Sequence, residues 1–255
     1  EDYTWVRDIK EHGYCTGHIG KWSINPKYDP TYFGFDNYIS DSEYNDFRSR
    51  LYPSIKFYNG FLGEADPIPL KHSHTHWLAD KTAKMMSDYT LRDKPWLISL
   101  DFSEPHLPCR PSKPFAYMYD PLDIPMWPSF AEKFKNKPYI QKQQLYSWNI
   151  ENFTWKDWAP IVARYYAIIS QVDDAVGKIL NKLDSLGLAE NTVVIYTSDH
   201  GDMCGGHRMI DKHYVLYDDV VKVPLIIRWS KNIKAGSACN VFICHFLDLP
   251  PTILD

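Results

Sequence analysis

Apolar positions change their spacing several times along the chain, and each change predicts an element. Between 76 and 92, Leu78, Ala79, Thr82, Met85, Met86 and Tyr89 share one face at helical spacing. Lys94-Pro95 breaks that pattern, and Trp96-Leu97-Ile98-Ser99-Leu100-Asp101-Phe102 then reads as a buried strand. The clearest helix comes later. Ile161, Tyr165, Ile168, Val172, Val176, Ile179, Leu183 and Leu186 recur at steps of three and four, and Gly187 supplies a left-handed stop. Asn191 leads into Thr192-Val193-Val194-Ile195-Tyr196-Thr197-Ser198, a β-branched run that predicts a central strand. Val223-Pro224-Leu225-Ile226-Ile227-Arg228-Trp229 predicts another, and Val241-Phe242-Ile243 a third. Residues 1–70 read mainly as loop with short strands. Residues 104–160, which hold half of the eighteen prolines, read as a long irregular excursion. Helix, strand, loop and strand in this order predict an α/β sheet covered by helices, whose ligands collect at the carboxyl ends of strands.

Composition narrows the partners. A net charge of −4, from 28 basic and 32 acidic side chains, leaves no basic excess for a phosphate backbone and argues against nucleic acid. No apolar run reaches the ~20 residues needed to cross a bilayer. Glu1 is not an initiator Met, and Leu249-Pro250-Pro251-Thr252-Ile253-Leu254-Asp255 reads as a helix just starting, so the 255 residues are expected to be part of a longer polypeptide. Five cysteines without tight pairing imply no disulfide framework; a Cys239–Cys244 bridge is conceivable, and the redox compartment stays open. The triplet Asn152-Phe153-Thr154 does not decide secretion.

Four short segments carry candidate chemistry. Asp199-His200-Gly201-Asp202 leaves the carboxyl end of a predicted strand, where a carboxylate and an imidazole are placed to hold a metal ion and Gly201 lets the chain turn away. Alone, it reads equally as a hydrogen-bonded turn. Lys212, in Ile210-Asp211-Lys212-His213, reaches the same strand end if its loop doubles back; otherwise it is a solvated lysine. Gly13-Tyr14-Cys15-Thr16-Gly17-His18-Ile19-Gly20-Lys21-Trp22 packs three glycines around one lysine, or forms a hairpin with an incidental cation. Ser103-Glu104-Pro105-His106-Leu107-Pro108 ends the 96–102 strand with a histidine between prolines.

Taken in order, G-Y-x-T-G-x-x-G-K-W, P-H-x-P, T-S-D-H-G-D, a downstream D-K and V-P-L-I-I-R-W resemble the sulfatase family of the alkaline-phosphatase superfamily. The closing residues resemble its D-L-x-P-T-x-L-D segment, so the likeness runs over essentially the whole chain. It implies an alkaline-phosphatase-like mixed central sheet flanked by helices, with residues 1–255 forming part of a single catalytic domain. It also implies hydrolysis of a sulfate ester, aryl or carried on a sugar, at a divalent metal, usually Ca2+, with Mg2+ or Mn2+ as alternatives. The metal ligands fall on Asp199 and His200. Lys21 and Lys212 fall on the sulfate-gripping positions, and His106 on the histidine that contacts the sulfate and assists the leaving oxygen. The charges agree, because a cation, two ammonium groups and an imidazole suit an ester whose departing oxygen gains negative charge. The resemblance further implies an exported setting: periplasmic, extracellular or lysosomal.

The chain also departs from that pattern. The family's nucleophile, a formylglycine made from a C/S-x-P-S-R motif, and a pair of metal-binding aspartates lie upstream of the G-K-W segment and are expected outside residues 1–255. Cys109-Arg110-Pro111-Ser112-Lys113 resembles the modification motif but follows His106 in the proline-rich loop, and is read as loop. Ser23 stands where the family commonly has His, a place His18 would have to fill. His72, His74 and His76 invite a metal reading, but a helix entry makes surface histidines the expectation. Trp127, Trp148, Trp155 and Trp158 fit a sugar-facing wall or core packing equally. Two other functions stay open: phosphonate or phosphate ester hydrolysis in the same cradle, and catalysis-free binding of a sulfated glycan.

Overall fold

The computed structural model describes residues 4–255 apart from 213, 214 and 242. In chain order the elements are α1 (Trp5–Glu11), β1 (Cys15–Gly20), β2 (Asn37–Ser40), α2 (Asp41–Leu51), α3 (His74–Thr90), β3 (Trp96–Asp101), α4 (Tyr139–Ser147), α5 (Trp155–Ser185), β4 (Val194–Thr197), α6 (Asp218–Val221), β5 (Leu225–Arg228) and α7 (His245–Leu254). β1 lies between β2 and β3 in a parallel sheet, and β4 pairs antiparallel with β5. The expected α/β architecture of sheet flanked by helices is present, with the described strands divided between a parallel sheet of three and a separate antiparallel pair.

The largest departure from expectation is the first 51 residues. They hold two helices and two strands rather than mostly loop, because the glycine-rich segment is the buried middle strand and not a hairpin. Glycine is required there by close approach. A Cβ on Gly17 would meet Met85 Sδ of α3 at 2.2 Å. Gly20 has φ +96° and would place a Cβ 2.1 Å from the Asp101 carbonyl oxygen, the acceptor of the Lys21 N–H at 2.9 Å. Ile19, Leu78, Met85 and Tyr89 form the apolar layer between β1 and α3. The Tyr89 hydroxyl donates to Thr16 O and Asn37 Oδ1, tying α3 to both β1 and β2.

α5 begins six residues before its predicted start. Thr154 and Asp157 form a capping box that nucleates it, and Pro160 is carried inside its second turn. Gly187, at φ +71°, follows its end as expected. α4 and three single turns break up the 104–160 excursion. Gln171, 1% exposed, fastens that excursion down: it accepts from Ser112 N and donates to Thr75 Oγ1 of α3. Trp158 is fully buried in a second core with Ile161, Met203, Met209 and Ile210. Trp127 and Trp155 donate to Cys204 O and Ile124 O, and Trp148 packs edge-on against Phe61. The tryptophans belong to the core and its clamps, not to an open wall.

Two strand expectations are corrected. The 192–198 run is not central among the described residues: β4 pairs only with β5 and is half-exposed, since no second neighbour completes its ladder. The strand expected at Val241-Phe242-Ile243 includes Phe242, outside the described residues, and Val241 and Ile243 are not in a strand. None of the described helices is long and apolar enough to cross a membrane.

The tight contact at Gly20 has a measurable consequence. Gly20→Ala is expected to destabilise the full-length protein by about 2–4 kcal/mol through its clash with backbone and its positive φ. A urea midpoint unchanged from wild type would show that β1 and β3 can separate without loss.

Candidate active site

Parallel pairing aligns Gly20 with Asp101, so β1 and β3 end side by side. Lys21 leaves one end, and Ser103 to His106 leave the other. The end of β4 joins them, with Lys21 Nζ 3.9 Å from Asp199 Oδ2. His200 Nε2 lies 3.5 Å from that oxygen, and the His200 and His106 rings are 6.5 Å apart, edge to face. The loop after β4 does double back: Lys212 Nζ donates to His106 Nε2 at 2.9 Å. All five residues singled out in the sequence thus stand in one chain of contacts; Lys21, His106, Asp199 and His200 line a cleft of about 370 Å³ together with Lys222, and Lys212 joins them through His106.

Local hydrogen bonds set the state of each ring. His106 Nδ1–H donates to Leu107 O at 2.9 Å, which turns Nε2 toward Lys212 as an acceptor. His200 Nδ1–H donates to Gly201 O at 2.8 Å, so in the neutral ring Nε2 carries a lone pair facing the Asp199 carboxylate. Two such electron-rich groups, held 3.5 Å apart and solvent-facing, suit a shared cation. Asp199 and His200 therefore fit as two ligands of a divalent ion, while no group of three or more such donors occurs among the described residues. Asp202 is not a third. It is half-buried and accepts from Cys204 N and Asp211 N, bracing the loop, and its partial removal from water raises its carboxyl above the usual range. Lys212 Nζ also donates to Asp211 Oδ1 at 3.2 Å, which aims the ammonium. His213 lies outside the described residues.

Several neighbours were missed. Asp101 ends β3 beside the cluster with its side chain half-exposed; the protein packed around it foremost, with the Asp199 charge adding to it, holds its carboxyl above the ordinary range. Its place opposite Gly20 was the available signal, through the rule that sites gather at strand ends. His74 was read as a surface residue, and that is corrected. Its Nδ1 lies 3.0 Å from Glu104 Oε1 and its Nε2 3.1 Å from Asp41 Oδ1, and Asp41 also accepts from Ser103 Oγ at 2.8 Å. His76 is buried and paired with Asp174 at 2.8 Å, and His72 bonds Tyr52, so the three histidines point to three different partners. No alternation rule reveals this, because the partners lie about 20 to 100 residues away in sequence.

His18 does not take the place of a histidine at position 23. Its ring is 2% exposed, packed against Trp22, Phe35 and Tyr38, and its Nε2–H donates to the Lys21 carbonyl at 2.9 Å. It supports the Lys21 turn from behind. Cys109 is buried with its thiol on Pro105 O, and burial pushes that thiol well up, away from a reactive thiolate.

Residues 7–255 match the Sulfatase family profile. The chain belongs to the sulfatase family. The family generally uses a divalent metal. Over 98% of its length the chain is 28% identical to the uncharacterized sulfatase YidJ of Escherichia coli, covering 51% of that protein. It is 27% identical to an ulvan-active sulfatase of Formosa agariphila, over 90% of this chain and 41% of the relative. A segment covering 46% of the chain is 34% identical to an N-acetylglucosamine-6-O-sulfatase of Bacteroides thetaiotaomicron and spans 19% of that enzyme. The fold is shared with the phosphonate monoester hydrolase of Agrobacterium radiobacter, at TM-score 0.68 and 22% identity over 88% of this chain and 52% of that one. The sulfatase chain thus spans about half the length of its full-length relatives or less.

The Asp41–His74–Glu104 triad carries a pH signature. Burial works against the imidazolium, but the carboxylates of Glu104 and Asp41 outweigh it and raise the His74 pKa to about 10 from 6.5. Its contribution is therefore complete below pH ~6.5 and fades as pH rises through ~10. His74→Asn should cost the full-length protein about 3 kcal/mol at pH 6, the scale of a broken buried pair, and much less at pH 10. Equal losses at both pH values, measured by urea unfolding, would remove the ionic triad.

Proposed function

We propose that the full-length protein is a sulfuric-ester hydrolase acting on a sulfated carbohydrate, and that residues 1–255 supply most of its oxyanion cradle as part of one catalytic domain. The observation that carries this reading is the convergence of Lys21, His106, Asp199, His200 and Lys212 from three strand ends and one returning loop. The names of the relatives, an ulvan-active sulfatase and an N-acetylglucosamine-6-O-sulfatase, support the substrate class.

In this reading Asp199 and His200 hold the ion, with Ca2+ the first choice because carboxylate oxygens are hard donors, and Mg2+ or Mn2+ the alternatives. The bound ion would draw charge from a sulfate oxygen. Lys21 and Lys212 bind the remaining oxygens as ammonium donors. The proton held between Lys212 Nζ and His106 Nε2, 2.9 Å apart, is placed for the departing oxygen as the S–O bond breaks. No C/S-x-P-S-R motif occurs in this chain, so the attacking formylglycine hydroxyl comes from outside it. A tetrahedral phosphonate would meet the same charges.

The test is hydrolysis by the full-length protein of 4-nitrophenyl sulfate against a phenyl phosphonate ester. Preference for the sulfate is expected, and preference for the phosphonate would replace this reading. Lys212→Ala should lower kcat/KM for the sulfate by on the order of 10²-fold or more; an effect within a factor of two would exclude Lys212 from the cradle. Asp199→Ala should release the metal, and elemental analysis showing unchanged content would refute the ligand assignment.

A further inference from the structure

A second cavity, of about 400 Å³, opens from the same Lys21 and His106 and runs to Arg48 of α2 and Arg110 of the proline-rich loop. The two guanidinium groups flank the Phe57 ring, with their central carbons 5.0 and 4.0 Å from its centroid. Stacking of this kind fixes a guanidinium plane while leaving its N–H edge free for an anion. Those edges are unanswered. Arg48 Nη2 and Arg110 Nε are buried without a hydrogen-bond partner among the described residues. No carboxylate among those residues lies within ion-pair distance of either side chain. Of the acids that share the cavity, Asp41 and Glu104 are committed to His74, and Asp66 Oδ1 accepts from Ile68 N at 3.0 Å; the charges of Asp66 and Glu64 reach the guanidinium groups only from beyond ion-pair distance.

Two adjacent cations with unspent N–H donors are costly to hold together unless an anion joins them. The planar forks of arginine match carboxylate and sulfate oxygens alike. We propose that Arg48, Arg110 and Phe57 form a subsite for a second anionic group of the substrate, a carboxylate or a further sulfate on the sugar whose scissile ester lies at Lys21 and His106. This rests on the function proposed above and narrows its substrate class to polyanionic glycans. Phe57, under both guanidinium groups, holds the two charges side by side.

The full-length protein and its Arg48→Gln/Arg110→Gln variant would be compared on 4-nitrophenyl sulfate, glucose 6-sulfate, glucose 3,6-disulfate and glucuronic acid 2-sulfate. With the two dianionic sugars, kcat/KM is expected to fall 10- to 100-fold in the variant, while the two monoanionic substrates change less than twofold. Greater loss on the disulfate than on the uronate assigns the subsite to sulfate, and the reverse assigns it to carboxylate. A uniform loss on all four substrates, not restored by Arg48→Lys/Arg110→Lys, or no loss on any, overturns the subsite. Should the wild type hydrolyse none of them, the proposed function fails separately. Calorimetric binding of glucose 3,6-disulfate, glucuronic acid 2-sulfate and glucose 6-sulfate then decides: binding of either dianion at least tenfold tighter than the monoanion and lost in the Gln variant supports the subsite, and equal affinities overturn it.

Discussion

The arrangement depends on how closely β1 can lie against β3. Gly20 lets the backbone at the end of β1 come within hydrogen-bond reach of Asp101, and that single contact, Lys21 N–H to Asp101 O at 2.9 Å, sets where the Lys21 side chain begins. A side chain at position 20 would wedge the strands apart at the point where the cleft opens. Gly17 makes the same demand one turn of the pleat deeper, against Met85 of α3. A lysine held from behind by buried backbone, and by His18 on its own carbonyl, presents its ammonium with little freedom.

Around that fixed point the charges divide into spent and unspent. Asp41 and Glu104 share His74, and Asp202 is spent on the backbone of its own loop. Lys21, Arg48 and Arg110 line the cleft and the cavity beside it, Lys212 reaches His106 from behind, and Asp199 with His200 keeps paired lone pairs. The surplus of donors lies where a tetrahedral oxyanion would sit, although the chain as a whole is acidic. Net charge gives no guide to the sign of this local field.

Recognition of the site came from order as much as from identity. Asp199-His200-Gly201 alone is an unremarkable turn, and Lys212 alone a surface lysine; four fragments in sequence order made the pattern. The same logic went wrong where a fragment was judged without its partners. A helix entry makes surface histidines the expectation at 72, 74 and 76, whereas Asp41, Glu104 and Asp174, all distant in sequence, pair with two of them. The Tyr, Gly, Asp and Pro content of residues 1–70 reads mainly as loop with short strands, and only packing against α3 and β3 makes Cys15–Gly20 the middle of a sheet.

Local spacing by itself determined a helix over 76–92, a helix from Ile161 to Leu186, the strand at 96–102 and the residues that would meet if the chain folded as an α/β sheet, because periodicity acts over a few residues. It determined neither the depth of His74 nor the unanswered edges of Arg48 and Arg110, nor that β4 keeps a single neighbour. Those depend on which groups, dozens of residues apart, are pressed together when water is excluded. Burial is a property of the packed whole, and a charge acquires its partner, or lacks one, only there.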